Sequence, residues 1–223
     1  MGTSPELIVM LTHNDLTVTD AYNVFERCKN SQARFWGFKE EPLPLAHMKA
    51  LFSYMKNCGK TTFLEVVAYS EKECLEGAKK AVACNCDFLM GTTFFESVNN
   101  FCKTNHLKYM PFVGKITGRP SVLEGTLEDM IKEAEEYIAK GVYGIDLLGY
   151  RYTGDPVYLN KEFVAKIKAP VCIAGSINSY ERLNEIKSVA PWTFTIGGAF
   201  FENKFDGTMQ EQIDKVREYI QDI

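Results

Sequence analysis

Eight short apolar segments alternate along the chain with eight segments of helical periodicity, and this alternation is the strongest constraint on the fold. We predict strands over Leu7–Thr12, Arg34–Lys39, Thr62–Tyr69, Asp87–Thr92, Tyr109–Gly114, Val142–Leu148, Val171–Ala174 and Trp192–Gly197. We predict helices over Thr17–Lys29, Leu45–Asn57, Glu71–Ala83, Glu96–Thr104, Leu127–Lys140, Leu159–Ile167, Tyr180–Ser188 and Met209–Gln221. Strands joined by helical crossovers are parallel. Eight such units in about 220 residues favour an α/β fold, a closed (β/α)8 TIM barrel, over an open sheet.

The composition is that of one globular domain. No linker, low-complexity segment or block of charge interrupts the 223 residues, so we predict a single domain over 1–223. Apolar residues make up 46% of the chain and charged residues 24%, which supplies enough apolar material for a core. A formal net charge of −4 does not favour a nucleic-acid-binding surface.

The chain has no sequence feature of a membrane or secreted protein. No run of about eighteen apolar residues predicts a membrane span, and no basic leader precedes the first strand. The seven cysteines are odd in number and show no paired CxxC spacing, so we expect reduced thiols in a cytoplasmic protein. The sequence is compatible with a homo-oligomer without determining one.

Two segments near the C-terminus end in small residues, Pro170–Ile177 and Trp192–Ala199. At the tops of the last two strands of a barrel, glycine lets the backbone approach an anion, and N–H groups of the loops and of a helix N-terminus donate to it. The pattern therefore predicts a phosphate site after these two strands. Its predicted residues are Gly175, Ser176, Gly197 and Gly198.

Two carboxylates interrupt strands that are otherwise apolar, Glu65 in the third strand and Asp146 in the sixth. A carboxylate buried in a parallel strand requires a partner, because an unpaired buried charge is very costly. Glu65 is therefore either in a structural ion pair with Lys39 or Lys115, or a general acid or base with an altered pKa. Asp146 has either a structural role or a role in catalysis or in binding a substrate hydroxyl.

Two lysines and one histidine also stand at strand ends. Lys39 and Lys115 end the second and fifth strands. A lysine in a desolvated barrel mouth either forms a Schiff base with a carbonyl or remains charged and binds a phosphate, carboxylate or enolate oxygen. His13 follows the first strand, where it is either a proton shuttle or a plain hydrogen-bonding group of the loop.

The longest loops follow the fifth and sixth strands, and each carries an arginine, Arg119 and Arg151. Such loops form lids in which an arginine clamps an anion, or they are ordinary surface loops whose arginines meet acidic residues of nearby helices. His13, Glu65 and Asp146 carry atoms that bind divalent metals, but no ligand motif joins them. We therefore predict neither a metal nor an organic cofactor.

The segments Ala174–Ile177 and Thr195–Ala199 resemble the ribulose-phosphate-binding barrel superfamily. With Gly149–Thr153, they are also similar to segments of N-acylmannosamine-6-phosphate epimerases. Those epimerases use a lysine at the end of strand three and a glutamate after strand seven, where this chain has Val66–Ala68 and Ala174-Gly175. The Asp-x-Lys-x-x-Asp motif of sugar-phosphate decarboxylases is absent from strand three. The resemblance therefore implies the phosphate loops and not the catalytic residues.

The chain also resembles the glycerol-operon antiterminator regulators, which are barrels of similar length and are not enzymes. Two functions remain open on these grounds. The first is an enzyme acting on a small phosphorylated carbonyl metabolite, as an isomerase or epimerase or as an aldolase-type lyase. The second is a sensor of a phosphorylated metabolite with no turnover. Polar, lysine-bearing strand ends and an acidic charge favour the enzyme.

Overall fold

The computed structural model describes residues 4–221, so residues 1–3 and 222–223 of the predicted domain lie outside the described part of the chain. Eight parallel strands form its central sheet. They are β1 (Glu6–Met10), β2 (Phe35–Lys39), β3 (Thr61–Val66), β4 (Phe88–Gly91), β5 (Lys108–Met110), β6 (Ile145–Leu147), β7 (Val171–Ile173) and β8 (Thr193–Ile196).

The strands are arranged around a barrel. Hydrogen-bonded neighbours follow the order β6-β7-β8-β1-β2-β3-β4-β5. Between β5 and β6, the N–H of Tyr143 donates to the carbonyl of Tyr109 (2.9 Å) and the N–H of Asp146 to that of Pro111 (3.0 Å). These two bonds bring the ends of the sheet together. The predicted (β/α)8 barrel is confirmed.

Helices cover the outside of the barrel. They are α1 (Ala21–Cys28), α2 (Leu45–Asn57), α3 (Glu71–Ala83), α4 (Glu96–Thr104), α5 (Leu127–Ala139), α6 (Pro156–Lys166), α7 (Tyr180–Val189), α8 (Gly198–Phe201) and α9 (Met209–Gln221). Helix α6 begins three residues before the predicted Leu159, because the Asp155 side chain caps it and Pro156 occupies its first turn. No helix within residues 4–221 is both long enough and apolar enough to cross a membrane.

The barrel interior is filled by large apolar side chains. Its core comprises Ile8, Met10, Phe63, Phe88, Met90, Met110 and Cys172. Phe63 and Phe88 stack with ring centroids 4.5 Å apart. Phe35, Tyr143 and Trp192 pack against this core where their strands begin. The N-terminal end of the barrel is therefore packed with side chains, and a cavity forms at the other end.

A short hairpin follows β1, where Thr12–His13 pairs with Leu16–Thr17. The predicted helix start at Thr17 is wrong, because Thr17 belongs to this hairpin and α1 begins at Ala21. Asn14 and Asp15 form the turn with φ of 50° and 66°, a left-handed pair typical of two-residue hairpins. The Thr17 hydroxyl donates to the carbonyl of Lys39 (2.8 Å) and accepts from its N–H (2.9 Å), which attaches the hairpin to β2.

A second hairpin occupies the predicted long loop after β5, where Lys115–Thr117 pairs with Val122–Glu124. The Tyr69 hydroxyl donates to the carbonyl of Gly118 (2.9 Å). Arg119, at the tip, donates to Glu40 Oε1 (3.0 Å) and to Glu41 Oε2 (3.3 Å). These bonds hold the tip across the barrel against the ends of β2 and β3.

Helix α5 begins at a side-chain cap, Thr126. Thr126 accepts a hydrogen bond from the Asp129 N–H (3.1 Å) and is therefore the N-cap of the helix. We expect Thr126→Ala to lower the free energy of unfolding by about 1 kcal/mol in urea denaturation. Thr126→Ser keeps the hydroxyl and should lose much less. An equal loss in both variants would show that the cap is not the cause.

Candidate active site

A cavity of about 640 Å³ opens at the C-terminal ends of the strands. Its walls come from the hairpin after β1, the ends of β2 and β3, the tip of the second hairpin, the turn after β6 and the loops after β7 and β8. In (β/α)8 barrels this end carries the substrate and the reacting groups.

Lys39 is the centre of a charged cluster in the cavity. Its ammonium donates a hydrogen bond to the carboxylate of Asp15 and lies 3.8 Å from Glu65 Oε1. Lys39 and Glu65 stand opposite each other in the β2–β3 register. Their side chains are only 10% and 11% exposed, so solvent screens the pair weakly. Of the two ion pairs that the sequence left open for Glu65, the structure forms the one with Lys39.

The carboxylates around Lys39 keep it protonated. Burial alone acts to lower the pKa of the ammonium, but the negative charges of Glu65, Asp15 and Glu40 outweigh this effect and raise the pKa above its usual value. A Schiff base requires the uncharged amine. The surroundings of Lys39 therefore favour binding of a negatively charged oxygen over formation of an imine.

Glu65 has the properties of a group that exchanges protons. Burial raises the pKa of its carboxyl, and the neighbouring charges of Asp15 and Glu40 raise it further, whereas Lys39 and Arg151 oppose the rise. The Glu65 carboxyl accepts no hydrogen bond from residues 4–221 and lines the cavity. A carboxyl with a raised pKa and access to a ligand is suited to general acid–base chemistry.

Asp146 lies inside the barrel rather than on the cavity wall. Its side chain is fully buried, in register with Cys172 of β7, and its carboxyl lies near the Gly91 backbone N–H without a hydrogen bond of good geometry within the described residues. Burial, followed by the nearby charge of Glu65, raises the pKa of this carboxyl well above its usual range. The surroundings of Asp146 therefore favour its neutral form, and its charge acts on Glu65 only when it loses that proton.

The predicted phosphate residues all line the cavity. Gly175 and Ser176 have φ of 91° and 48°, conformations that bend the loop after β7 away from the strand direction. Gly198 is the first residue of α8, and N–H groups in the first turn of a helix have no partner within it. Both loops thus present backbone at the cavity, as the sequence pattern predicts.

The two loop arginines differ in how they are paired. Arg151 lies in a single 3-10 turn, Gly149–Arg151, and lines the cavity. Its guanidinium makes no hydrogen bond or ion pair with any residue between 4 and 221. Arg119 also lines the cavity, but Glu40 and Glu41 pair with it. Arg151 is therefore available to bind an anion, whereas Arg119 holds the second hairpin.

His13 ends the first strand of the hairpin after β1, and Asp15 lies in the turn that follows it. Its Nε2 lies 3.7 Å from Glu202 Oε1, and its ring stacks on Phe201 at a centroid distance of 5.7 Å. The hairpin thus places His13 beside the α8 loop and Asp15 beside Lys39. No group of three or more His, Cys, Asp or Glu side chains in residues 4–221 is arranged to bind a metal ion.

Lys115 is not part of the cavity wall. Its side chain is 72% exposed and pairs with Glu124 Oε2 at 3.2 Å. The residue begins the second hairpin, beyond the end of β5, and so its ammonium is directed along the hairpin surface. The structure does not bring Lys115 together with Lys39, Glu65 or Asp146.

Sequence reasoning missed two acidic residues of the site, Asp15 and Glu202. The dipeptide Asn14-Asp15 contains two residue types that are common in two-residue hairpin turns. A turn predicted at this dipeptide would have placed Asp15 near the end of β2. Glu202 follows the four-residue helix α8. Such a short helix has no periodicity that a sequence pattern can detect.

The raised pKa of Asp146 predicts a pH dependence of stability. The unfolded chain releases this proton near its usual pKa of about 3.9, whereas the folded protein keeps it to a higher pH. Asp146 therefore destabilises the fold increasingly as pH rises between the two values. In urea denaturation, the stability of Asp146→Asn relative to wild type should increase as pH rises above about 4. A constant difference would contradict this, and Asp20→Asn, at an exposed carboxylate, is the control.

The charge of Lys39 predicts a shift at Glu65. Because Lys39 favours the ionised carboxylate, Lys39→Met should raise the pKa of Glu65 further, as followed by the carbon-13 shift of its carboxyl during titration. Lys115→Met removes an equally charged but distant side chain and should leave the titration unchanged. An unaltered or lower Glu65 pKa in Lys39→Met would contradict the described cluster.

No protein-family model and no curated protein matches the chain. Solved structures do match. Orotidine 5′-phosphate decarboxylase from Pyrococcus horikoshii OT3 has a TM-score of 0.73 and 12% identity, over 97% of this chain and 100% of that chain. N-acetylmannosamine-6-phosphate 2-epimerase from Clostridium perfringens has a TM-score of 0.65 and 16% identity, over 96% and 93%.

A regulatory protein has the same architecture. The glycerol uptake operon antiterminator regulatory protein from Listeria monocytogenes has a TM-score of 0.58 and 17% identity, over 88% of this chain and 93% of that chain. The structural neighbours are mostly isomerases, epimerases, aldolases and decarboxylases. They are members of the ribulose-phosphate-binding barrel superfamily, and the chain shares their fold, as the resemblance of its last third predicted.

Proposed function

We propose that this protein is an enzyme that moves a proton at the carbon next to the carbonyl group of a small phosphorylated metabolite, as isomerases and epimerases do. One observation carries the proposal: a buried Lys39–Glu65 pair and an unpaired Arg151 line the same cavity. A group that exchanges protons, a cation beside it and a free anion-binding side chain are what such a reaction requires.

Glu65 and Lys39 have complementary roles in this chemistry. The Glu65 carboxylate takes the proton from carbon, and the electrons of the broken C–H bond form an enolate whose negative charge lies on the carbonyl oxygen. The Lys39 ammonium stabilises that oxygen. For an isomerisation, Glu65 then returns the proton to the former carbonyl carbon, while the hydroxyl proton on the deprotonated carbon moves to the former carbonyl oxygen, so that carbonyl and hydroxyl exchange places. For an epimerisation, water or a second acid delivers a proton to the opposite face of the deprotonated carbon, and Glu65 keeps the proton that it removed. Asp15 orients Lys39 through its hydrogen bond.

The phosphate of the substrate binds on the other side of the cavity in this proposal. Arg151 contributes a charged donor, and the loops that carry Gly175, Ser176, Gly197 and Gly198 contribute backbone N–H groups. Binding energy from the phosphate then positions the reacting carbon at Glu65. The protonated state of Lys39 supports an isomerase or epimerase over a lyase that forms an imine.

Binding of phosphate tests the anion site. We expect phosphorylated sugars and inorganic phosphate to raise the melting temperature, and Arg151→Gln to weaken their binding about tenfold or more, since a hydrogen bond to a charged group contributes about 1.5–3 kcal/mol. Arg27→Gln removes an exposed arginine outside the cavity and should bind as wild type does. Equal binding by Arg151→Gln would contradict the assigned anion site.

Turnover of the ligand that binds tests the chemistry. Glu65→Gln is nearly isosteric and cannot accept the proton, so it should retain ligand binding and lose about a hundredfold or more in kcat. Lys115→Gln should keep both. A ligand that binds tightly and is not converted by the wild type would favour the sensor, the function of the regulatory neighbour.

A further inference from the structure

A group of polar side chains lies outside the barrel, on the side of the Gly149–Arg151 turn that faces away from the cavity. Tyr150 comes from the turn, Asn160 from α6, and Arg182 and Glu185 from α7. We call these four residues the α6–α7 polar cluster. None of them lines the cavity.

The buried polar atoms of this cluster are incompletely paired. Asn160 is 1% exposed, and its amide lies beside the Tyr150 hydroxyl, although neither Oδ1 nor Nδ2 makes a hydrogen bond of good geometry within the described residues. The Tyr150 hydroxyl also lies beside Glu185, whereas Arg182 Nη1 and Glu185 Oε2 are buried without a good partner there. A buried polar group that is poorly paired contributes little to stability. The contacts of the Asn160 amide are instead with the first two residues of the turn.

The cluster instead packs tightly against the turn that carries Arg151. Asn160 Oδ1 is so close to Gly149 that a Cβ added there would lie 1.7 Å from it. The guanidinium of Arg182 lies over the ring of Tyr150, 4.3 Å from its centroid. Helix α6 thus contacts Gly149 and helix α7 contacts Tyr150, both from outside the barrel.

On the cavity side, Arg151 packs over Gly175. A Cβ added to Gly175 would lie 2.7 Å from Arg151 Cγ. The backbone N–H of Arg151 donates to the carbonyl of Leu148 (2.9 Å), and the guanidinium has no partner in residues 4–221. Since no hydrogen bond orients the guanidinium, its direction depends on the backbone turn and on this packing.

We propose that Asn160 is a positioning residue for Arg151: its amide fixes the Gly149–Arg151 turn so that the guanidinium stands ready for the substrate's phosphate. The inference rests on the proposed function, in which Arg151 binds that phosphate. A charged side chain that is held in place before the ligand arrives loses less conformational entropy on binding. The α6–α7 polar cluster restrains the turn, and with it Arg151, from outside the cavity.

A double-mutant cycle tests the proposal, with inorganic phosphate as the probe and calorimetry under conditions in which every variant is folded. Asn160→Ala should weaken phosphate binding about fivefold, the scale of coupling within one network. In the Arg151→Gln background the same change should have no effect, because Asn160 acts through Arg151. Asn99→Ala is the matched control, since Asn99 is also 1% exposed and lies on α4.

Asn160→Leu keeps the number of heavy atoms and the branching at Cγ while removing both polar atoms, so it provides a second variant if Asn160→Ala fails to fold. Weaker phosphate binding by Asn160→Leu would support the positioning role. The proposal is overturned if Arg151→Gln weakens binding while both Asn160 variants bind as Asn99→Ala does. If Arg151→Gln itself has no effect, the proposed phosphate site fails and this inference fails with it.

Discussion

The site depends on how the buried charge of Lys39 is balanced. The ammonium lies among the carboxyl groups of Asp15, Glu65 and Glu40, and burial would otherwise favour its neutral form. One carboxylate would neutralise the ammonium. The three carboxyl groups around Lys39 instead leave an excess of negative charge. Burial, and after it the charges of neighbouring carboxylates, raises the pKa of both Glu65 and Asp146 although a cation is close. Glu65 at the cavity wall and Asp146 below it therefore hold a proton more firmly than an exposed carboxyl does, and Lys39 keeps its own proton.

The two hairpins position the charged cluster around Lys39 relative to the rest of the site. The first attaches to β2 through Thr17 and extends from Asp15 at Lys39 to His13 at the α8 loop. The second crosses the barrel and pairs Arg119 with Glu40. Arg119 thereby neutralises part of the negative charge that Glu40 and Asp15 place near Lys39. Arg151 makes no ion pair with residues 4–221, and we assign it to the phosphate of the substrate.

The periodic part of the fold was predictable from sequence, and the irregular part was not. Strand–helix alternation identified all eight barrel strands, because buried parallel strands and amphipathic helices have distinct patterns. The hairpins have strands of two and three residues, too short to show a period. That is why the first helix was predicted to start at Thr17 and why Lys115, at the base of a hairpin, was expected at the barrel mouth.

The site shows the same difference between residues on regular strands, which were predictable, and residues in irregular segments, which were not. Glu65 was recognisable because a carboxylate in an apolar strand must have a partner, and Lys39 ends the neighbouring strand in register with it. Asp15 and Glu202 belong to the loops, and the Asn160 amide contacts the turn from a neighbouring helix. Contacts between residues far apart in sequence depend on tertiary packing, which no local pattern records.

Exchange of hydrogen at carbon tests the central claim most directly. The wild-type protein, incubated in deuterium oxide with the phosphorylated sugar that it binds, should incorporate deuterium next to the carbonyl, and proton magnetic resonance should show loss of that signal. Glu65→Gln should bind the same sugar without exchange. Exchange that is as fast in Glu65→Gln as in the wild type would contradict the assignment of Glu65 as the base. A wild type that binds the sugar with no exchange at all would contradict the enzyme itself.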